Sequence, residues 1–251
     1  MTPEFQPPPT TAERVRAYAV HVLTASGIIF VFLAATEVAA IQPNTGLLFF
    51  WLAMALVVDA VDGPLARRWR VGQLATRLDG RTLDDIVDYL SFSFIPLLLI
   101  WKMQWAGDWS TPLAVGAMLV SLLGFANIHA KQDAAGFFSG FPSYWNLTAY
   151  FAGLFHETYG SDIVVIMMLV FMALTLLPVR FIYPNKIRAP FRMPLIAGGG
   201  IWLLFLLATL PAYPDLPGWA VWIALSYPIA YLALSAVLDV WDRLVGEPPG
   251  R

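Results

Sequence analysis

Eight long apolar runs decide what this chain can become. They lie near 15–36, 45–66, 86–105, 111–129, 143–158, 162–180, 194–212 and 218–238. About 20 apolar residues are what an α-helix needs to cross the hydrocarbon core of a bilayer. The longest polar stretch between the runs is the basic loop around 67–84, too short for a soluble domain. Apolar residues make up 59% of the chain and charged ones 13%, against about 45–50% and about 25% in soluble domains. The expected fold class is therefore all-α: a polytopic membrane helix bundle of about eight transmembrane helices. One transmembrane domain, 15–242, would lie between a polar cytoplasmic tail, 1–14, and a cytoplasmic C-terminal tail, 243–251. The proline-rich start, with Pro3, Pro7, Pro8 and Pro9, lacks the apolar core of a signal peptide, so the first run is read as a retained helix. The fifth run is short and bordered by His156 and Glu157, which leaves a membrane-dipping segment as the alternative there.

Charge tests the crossing count. With a cytoplasmic N-terminus and eight crossings, only Lys102 of the 15 Lys and Arg residues falls on the outer side. That asymmetry is the positive-inside bias, and it predicts that both termini are cytoplasmic. The net charge of -2, with no basic tract, argues against a nucleic acid polymer as partner. There is no cysteine, which excludes disulfides, thiol nucleophiles and cysteine-ligated metals.

Ionisable groups at membrane depth are costly and usually serve a function. Four aspartates gather at the predicted cytoplasmic ends of two consecutive runs: Asp59 and Asp62, three apart, and Asp84 and Asp88, four apart. Both spacings put a pair on one helix face. Like charges cannot crowd at the edge of a low-dielectric bundle without a cation or a change of protonation. Hard divalent ions such as Mg²⁺ or Mn²⁺ suit such oxygen donors. Pairing with Arg67, Arg70 and Arg81 would also compensate the charge, and both readings stand at this level. Asp59, Asp62, Gly63 and Ala66 share a stripe that loses its side-chain bulk beside Arg67. Such a stripe makes either a groove for a phosphate-bearing ligand or a tight helix contact.

The run D-A-V-D-G-P-L-A-R, Asp59 to Arg67, followed by G-R-T-L-D-D-I-V-D, Gly80 to Asp88, resembles the signature of the CDP-alcohol phosphotransferases. The segment Arg68 to Asp79 is longer than in the commoner family pattern. The resemblance implies that Asp59, Asp62 and Asp84 ligate two metal ions, Mn²⁺ or Mg²⁺, and that Asp88 adjoins them as ligand and catalytic base. It implies that Asp62, Gly63, Ala66, Arg67 and Gly80 accommodate CDP-diacylglycerol at a cytoplasmic active site. A homodimer is implied as well. Asp85 lies outside the motif. D-G-P-L-A-R-R, T-L-D-D-I-V-D-Y and F-S-G-F-P-S-Y-W-N, the last from Phe138 to Asn146, resemble the bacterial branch that uses choline. That branch implies the bacterial inner membrane.

On that resemblance, choline would attack the phosphatidyl group and release CMP, with Asp88 taking the hydroxyl proton. No serine, histidine and carboxylate arrangement supports a covalent intermediate. A quaternary ammonium has no hydrogen to donate and is recognised by aromatic faces. Phe141, Tyr144 and Trp145 are the choline-binding candidates. His21, His129, Asn127 and Asn146 are read as packing or interfacial residues, and His156 and Glu157 as lying on the opposite membrane face. Serine, inositol or glycerol phosphate are alternative acceptors, and arginines between 180 and 192 would suit a phosphorylated one. A cation or proton transporter is the alternative from another class. Its carboxylates would lie near the bilayer midplane, whereas these lie at an edge.

Overall fold

The computed structural model describes residues 9–127, 131–132, 136–187 and 189–245; His129 lies outside them. Helix α1, Thr11–Ala39, starts at a capping box. Thr10 Oγ1 accepts the Glu13 N–H at 3.2 Å, and the Glu13 carboxylate accepts the Thr10 N–H at 2.8 Å. Asn44 opens α2, Thr45–Arg68, by accepting the Leu47 N–H at 2.9 Å. A single helical turn, α3, Val71–Leu74, occupies the linker.

The third apolar run is one rod in three parts: α4, Gly80–Asp88; a π-helical turn, Tyr89–Phe94; and α5, Ile95–Lys102. Asp79 caps it, accepting from the Arg81 N–H at 3.0 Å and the Thr82 hydroxyl at 2.8 Å. Those bonds, that of Thr82 above all, hold the Asp79 carboxyl below the usual carboxylate range. Then follow α6, Ser110–Ala126; β1, Lys131–Gln132; β2, Phe137–Ser139; α7, Trp145–Tyr159; α8, Ser161–Leu176; β3, Arg180–Ile182; α9, Ala189–Thr209; and α10, Gly218–Val245.

Among the described residues, five helical segments are long and apolar enough to cross a membrane: α1, α2, 107–126, 190–212 and 218–244. The other three apolar runs also form helices. The third is interrupted by the π turn, and α7 and α8 have only 15 and 16 residues. Protein shields α7, whose Trp145, Thr148 and the run Ala149 to Leu154 are buried. Large apolar side chains such as Phe32, Ile201, Leu204 and Trp222 face outward, as lipid contact requires. Between helices in lipid, close packing holds the bundle more than transfer from water does. Leu48, Leu97, Ile100, Trp145 and Met168 interlock in the main core.

A purely helical reading is corrected at one place. The described residues include a three-stranded antiparallel sheet, β1-β2-β3, with Phe138 opposite Phe181 and Ser139 opposite Arg180. Its strands come from two connections about forty residues apart, 131–142 and 180–193. Helical periodicity cannot announce strands of two or three residues. Gly140 makes the turn out of β2 feasible: its φ is 86°, and a Cβ there would lie 2.6 Å from the Thr175 carbonyl oxygen. A second core of Phe137, Phe141, Phe181, Ile182 and Tyr231 fixes this sheet against α10.

Candidate active site

Helix α2 and rod α4 bring three of the four aspartates together. Carboxylate oxygens of Asp59, Asp84 and Asp88 all lie within 4.8 Å of one another. One helical turn separates Asp84 from Asp88, so a single face of α4 delivers both. Asp62 takes a different place. It is 5% exposed, lies beside the Thr24 side chain of α1, and its Oδ2 is buried without a hydrogen-bond partner among the described residues. Three converging carboxylates and one orphaned carboxylate oxygen are hard donors of the kind a divalent cation takes. The residues present therefore fit a metal site.

All four aspartates line one cavity of about 800 Å³. It runs along α2 from Phe49 to Arg67, about 27 Å at about 1.5 Å per residue. Three surfaces meet in it. The carboxylates, Gly63 and Arg67 form a charged end; Leu203, Leu206, Leu207, Leu225, Ile229 and Leu232 of α9 and α10 form an apolar flank. Aromatic rings of Phe138, Phe141, Tyr144, Tyr183 and Tyr227 form the third. Pro64 continues α2 through the site but has no N–H to give the Ala60 carbonyl, and both residues border the cavity.

Gly63 opens the charged end. A Cβ there would meet only the Arg67 guanidinium, at 3.6 Å. The other small residues of the motif face elsewhere. Ala66 packs on the α1 and α3 cluster of Ala17, Val20, Val71 and Ala75, and a Cβ on Gly80 would lie 2.8 Å from the His21 ring. Neither borders the cavity; both allow α1 to close on the carboxylate-bearing helices. Helix packing is the second of the two roles small residues can take. His21 is buried with Nε2 3.4 Å from the Ala75 carbonyl, and His156 Nδ1 lies 3.1 Å from the Trp105 carbonyl. Asn127 and Asn146, expected to serve packing, border the cavity instead. Asp85 also borders it and lies 3.9 Å from Arg81.

The three candidate aromatics separate. Phe141 and Tyr144 line the cavity, 6.1 Å apart edge to face, and the Tyr144 side chain is within electrostatic range of Asp59 and Asp88. Trp145 is fully buried and donates its indole N–H to Ser121 Oγ at 2.6 Å. Its ring packs in the main core. Phe138 and Tyr183, stacked at 4.3 Å and 28°, take its place on the cavity wall. Phe138 opens the F-S-G-F-P-S-Y-W-N segment, so its neighbourhood was visible in sequence; Tyr183 is reached only through strand pairing.

No family model matches the chain. Curated relatives do, each named phosphatidylcholine synthase. The protein of Pseudomonas aeruginosa is 38% identical over 214 residues, 83% of this chain and 86% of its own length. That of Rhizobium johnstonii is 32% identical over 93% of this chain and 94% of its own, and that of Agrobacterium fabrum 31% over 92% and 93%. Likeness of this extent takes in the aspartate-bearing helices and most of the bundle around them, and the chain belongs to the phosphatidylcholine synthase family.

Proposed function

We propose that the chain transfers the phosphatidyl group of CDP-diacylglycerol to choline and releases CMP, by the chemistry of the CDP-alcohol phosphotransferases. One observation carries this reading: carboxylates, an apolar flank and an aromatic wall converge in a single cavity, one surface for each part of the reacting pair. The diphosphate would meet Arg67 and the space over Gly63, and the acyl chains would follow α2 and the leucines of α9 and α10. Choline would stand against Tyr144, Tyr183 and Phe138, whose ring faces attract a quaternary ammonium. Asp88 lies on the same cavity as Tyr144, which supports it as the group that would take the hydroxyl proton. Asp88 takes that proton as the choline oxygen bonds to the phosphorus of the phosphatidyl group. The bond from that phosphorus to the CMP oxygen breaks, and CMP leaves.

Asp59, Asp84 and Asp88, with Asp62 through its orphaned oxygen, would hold Mn²⁺ or Mg²⁺, in two sites. When bound, such ions neutralise charge that builds on phosphoryl oxygens. The wall also speaks to the acceptor. Among the described residues, the arginines bordering the cavity are Arg67 and Arg81, at the charged end. Arg180, a candidate for a phosphorylated acceptor, is committed instead to Asp239 and Asp242. In the same reading the single domain crosses the bacterial inner membrane eight times, with both termini and the active site cytoplasmic, and pairs as a homodimer.

The experiment supplies purified protein with CDP-diacylglycerol and Mn²⁺ or Mg²⁺, and compares CMP release with choline, serine, inositol and glycerol phosphate. Release with choline alone is expected. Release with another alcohol would overturn the acceptor, and none with any would overturn the donor. Cation flux in sealed vesicles without CMP release would instead mark a transporter.

A further inference from the structure

Arg180 lies outside the cavity yet is bound on every side. Its Nε donates to Asp239 Oδ1 of α10, its Nη1 lies 2.6 Å from Asp242 Oδ2, and its guanidinium sits 4.9 Å above the Phe137 ring of β2. Arg243 adds a second cation, 3.0 Å from Asp239, so the group balances two arginines with two aspartates. Two more bonds join β3 to α10: the Ile182 N–H donates to Ser235 Oγ at 3.2 Å, and the Tyr231 hydroxyl donates to the Ile182 carbonyl at 2.7 Å.

A partly buried ionic group of this kind is a poor source of stability, since apolar replacements often serve as well. What it supplies is a single geometry, and the neighbouring sheet needs one. Strands of two or three residues have few ladder bonds, and a slip of one residue would turn every side chain to the opposite face. The residue after β3 is Tyr183, whose N–H donates to the Gly136 carbonyl at 2.9 Å and whose ring stacks on Phe138. Both rings line the cavity.

We infer that Arg180, held by Asp239 and Asp242, is a positioning residue for the acceptor: it fixes the register that turns Phe138 and Tyr183 toward the alcohol. The inference rests on the reading of that wall as the choline side. The C-terminal helix thereby sets acceptor affinity without touching the acceptor.

The test is CMP release in lipid nanodiscs with Mn²⁺, titrating choline at saturating CDP-diacylglycerol and then the reverse. Arg180→Met and Asp239→Asn are expected to raise the KM for choline roughly tenfold, the scale of coupling through one shared element, with kcat and the donor KM within about twofold. Arg180→Lys keeps the charge and loses the two-pronged fork, and should fall between. Asp242→Asn leaves the Asp239 bond in place and serves where the harsher variants do not fold. A choline KM unchanged in Arg180→Lys and Asp242→Asn, or a loss confined to kcat, would overturn the inference. Should the unsubstituted protein respond to another alcohol and ignore choline, the acceptor reading fails, and the same variants test the clamp on that alcohol's KM.

Discussion

The charged end of the cavity and its aromatic wall are built by opposite means. Helical spacing within two neighbouring segments makes the first: Asp84 and Asp88 are one turn apart, and Asp59 arrives on the adjacent helix. The second needs two loops about forty residues apart in sequence to pair as a sheet, and a third element, α10, to hold them. Local spacing tolerates change in the rest of the fold. A wall assembled from distant pieces depends on every contact that brings them together.

If the two regions divide the work, damage to each should read differently. The largest effect belongs to the charged end. Chelation of divalent ions should stop CMP release, and Asp88→Asn should lower kcat by about a thousandfold while donor binding persists. Near-normal turnover by Asp88→Asn would remove it as the base. Next comes the groove: Gly63→Leu should raise the KM for CDP-diacylglycerol roughly tenfold. The fold should survive it, because only the Arg67 guanidinium lies near that position. An unchanged donor KM would show that the diphosphate sits elsewhere. At the wall, Tyr183→Ala should raise the KM for choline about fivefold and spare kcat, the scale of one ring facing a cation. An equal effect on donor and acceptor would erase the distinction between the regions. Smallest in kinetics is Trp145→Phe. It leaves the buried Ser121 hydroxyl without its donor and should cost about 1–3 kcal/mol of stability, read by thermal unfolding in detergent. Its KM for choline should not move; a rise would return Trp145 to the ligand site.

What could be read from sequence follows the same division. Apolar run lengths located the long helices, because a membrane span needs a stretch of fixed length, but neither α3 nor the start of α4. The aspartates were legible because three- and four-residue spacing is a property of one helix. Asp62 was placed on the same face as Asp59, but the sequence says nothing of how deeply α1 closes over it. Ala66 and Gly80 were ambiguous in the same way, since an absent side chain suits a ligand or a neighbouring helix equally, and the structure adds only that His21 lies close to Gly80. Tyr183 was invisible because its place depends on which of two loops pairs with which, and on the register of that pairing. Trp145 shows the converse, an aromatic next to cavity residues whose own ring turns inward to Ser121.

The π turn at Tyr89–Phe94 couples the site to the core in a way that constrains descent. Wound as regular α-helix at the same length, those six residues would rotate the two halves of the rod against each other by about 100°. Either Asp84 and Asp88 would swing away from Asp59, or Leu97, Leu99 and Ile100 would leave the interior. The turn takes up one extra residue without moving the faces on either side: a lineage can substitute within those six positions, or lose one residue together with the turn, but cannot straighten the turn at constant length. Relatives one residue shorter between Asp88 and Pro96 should therefore carry regular α-helix there, with the same faces toward the aspartates and the core.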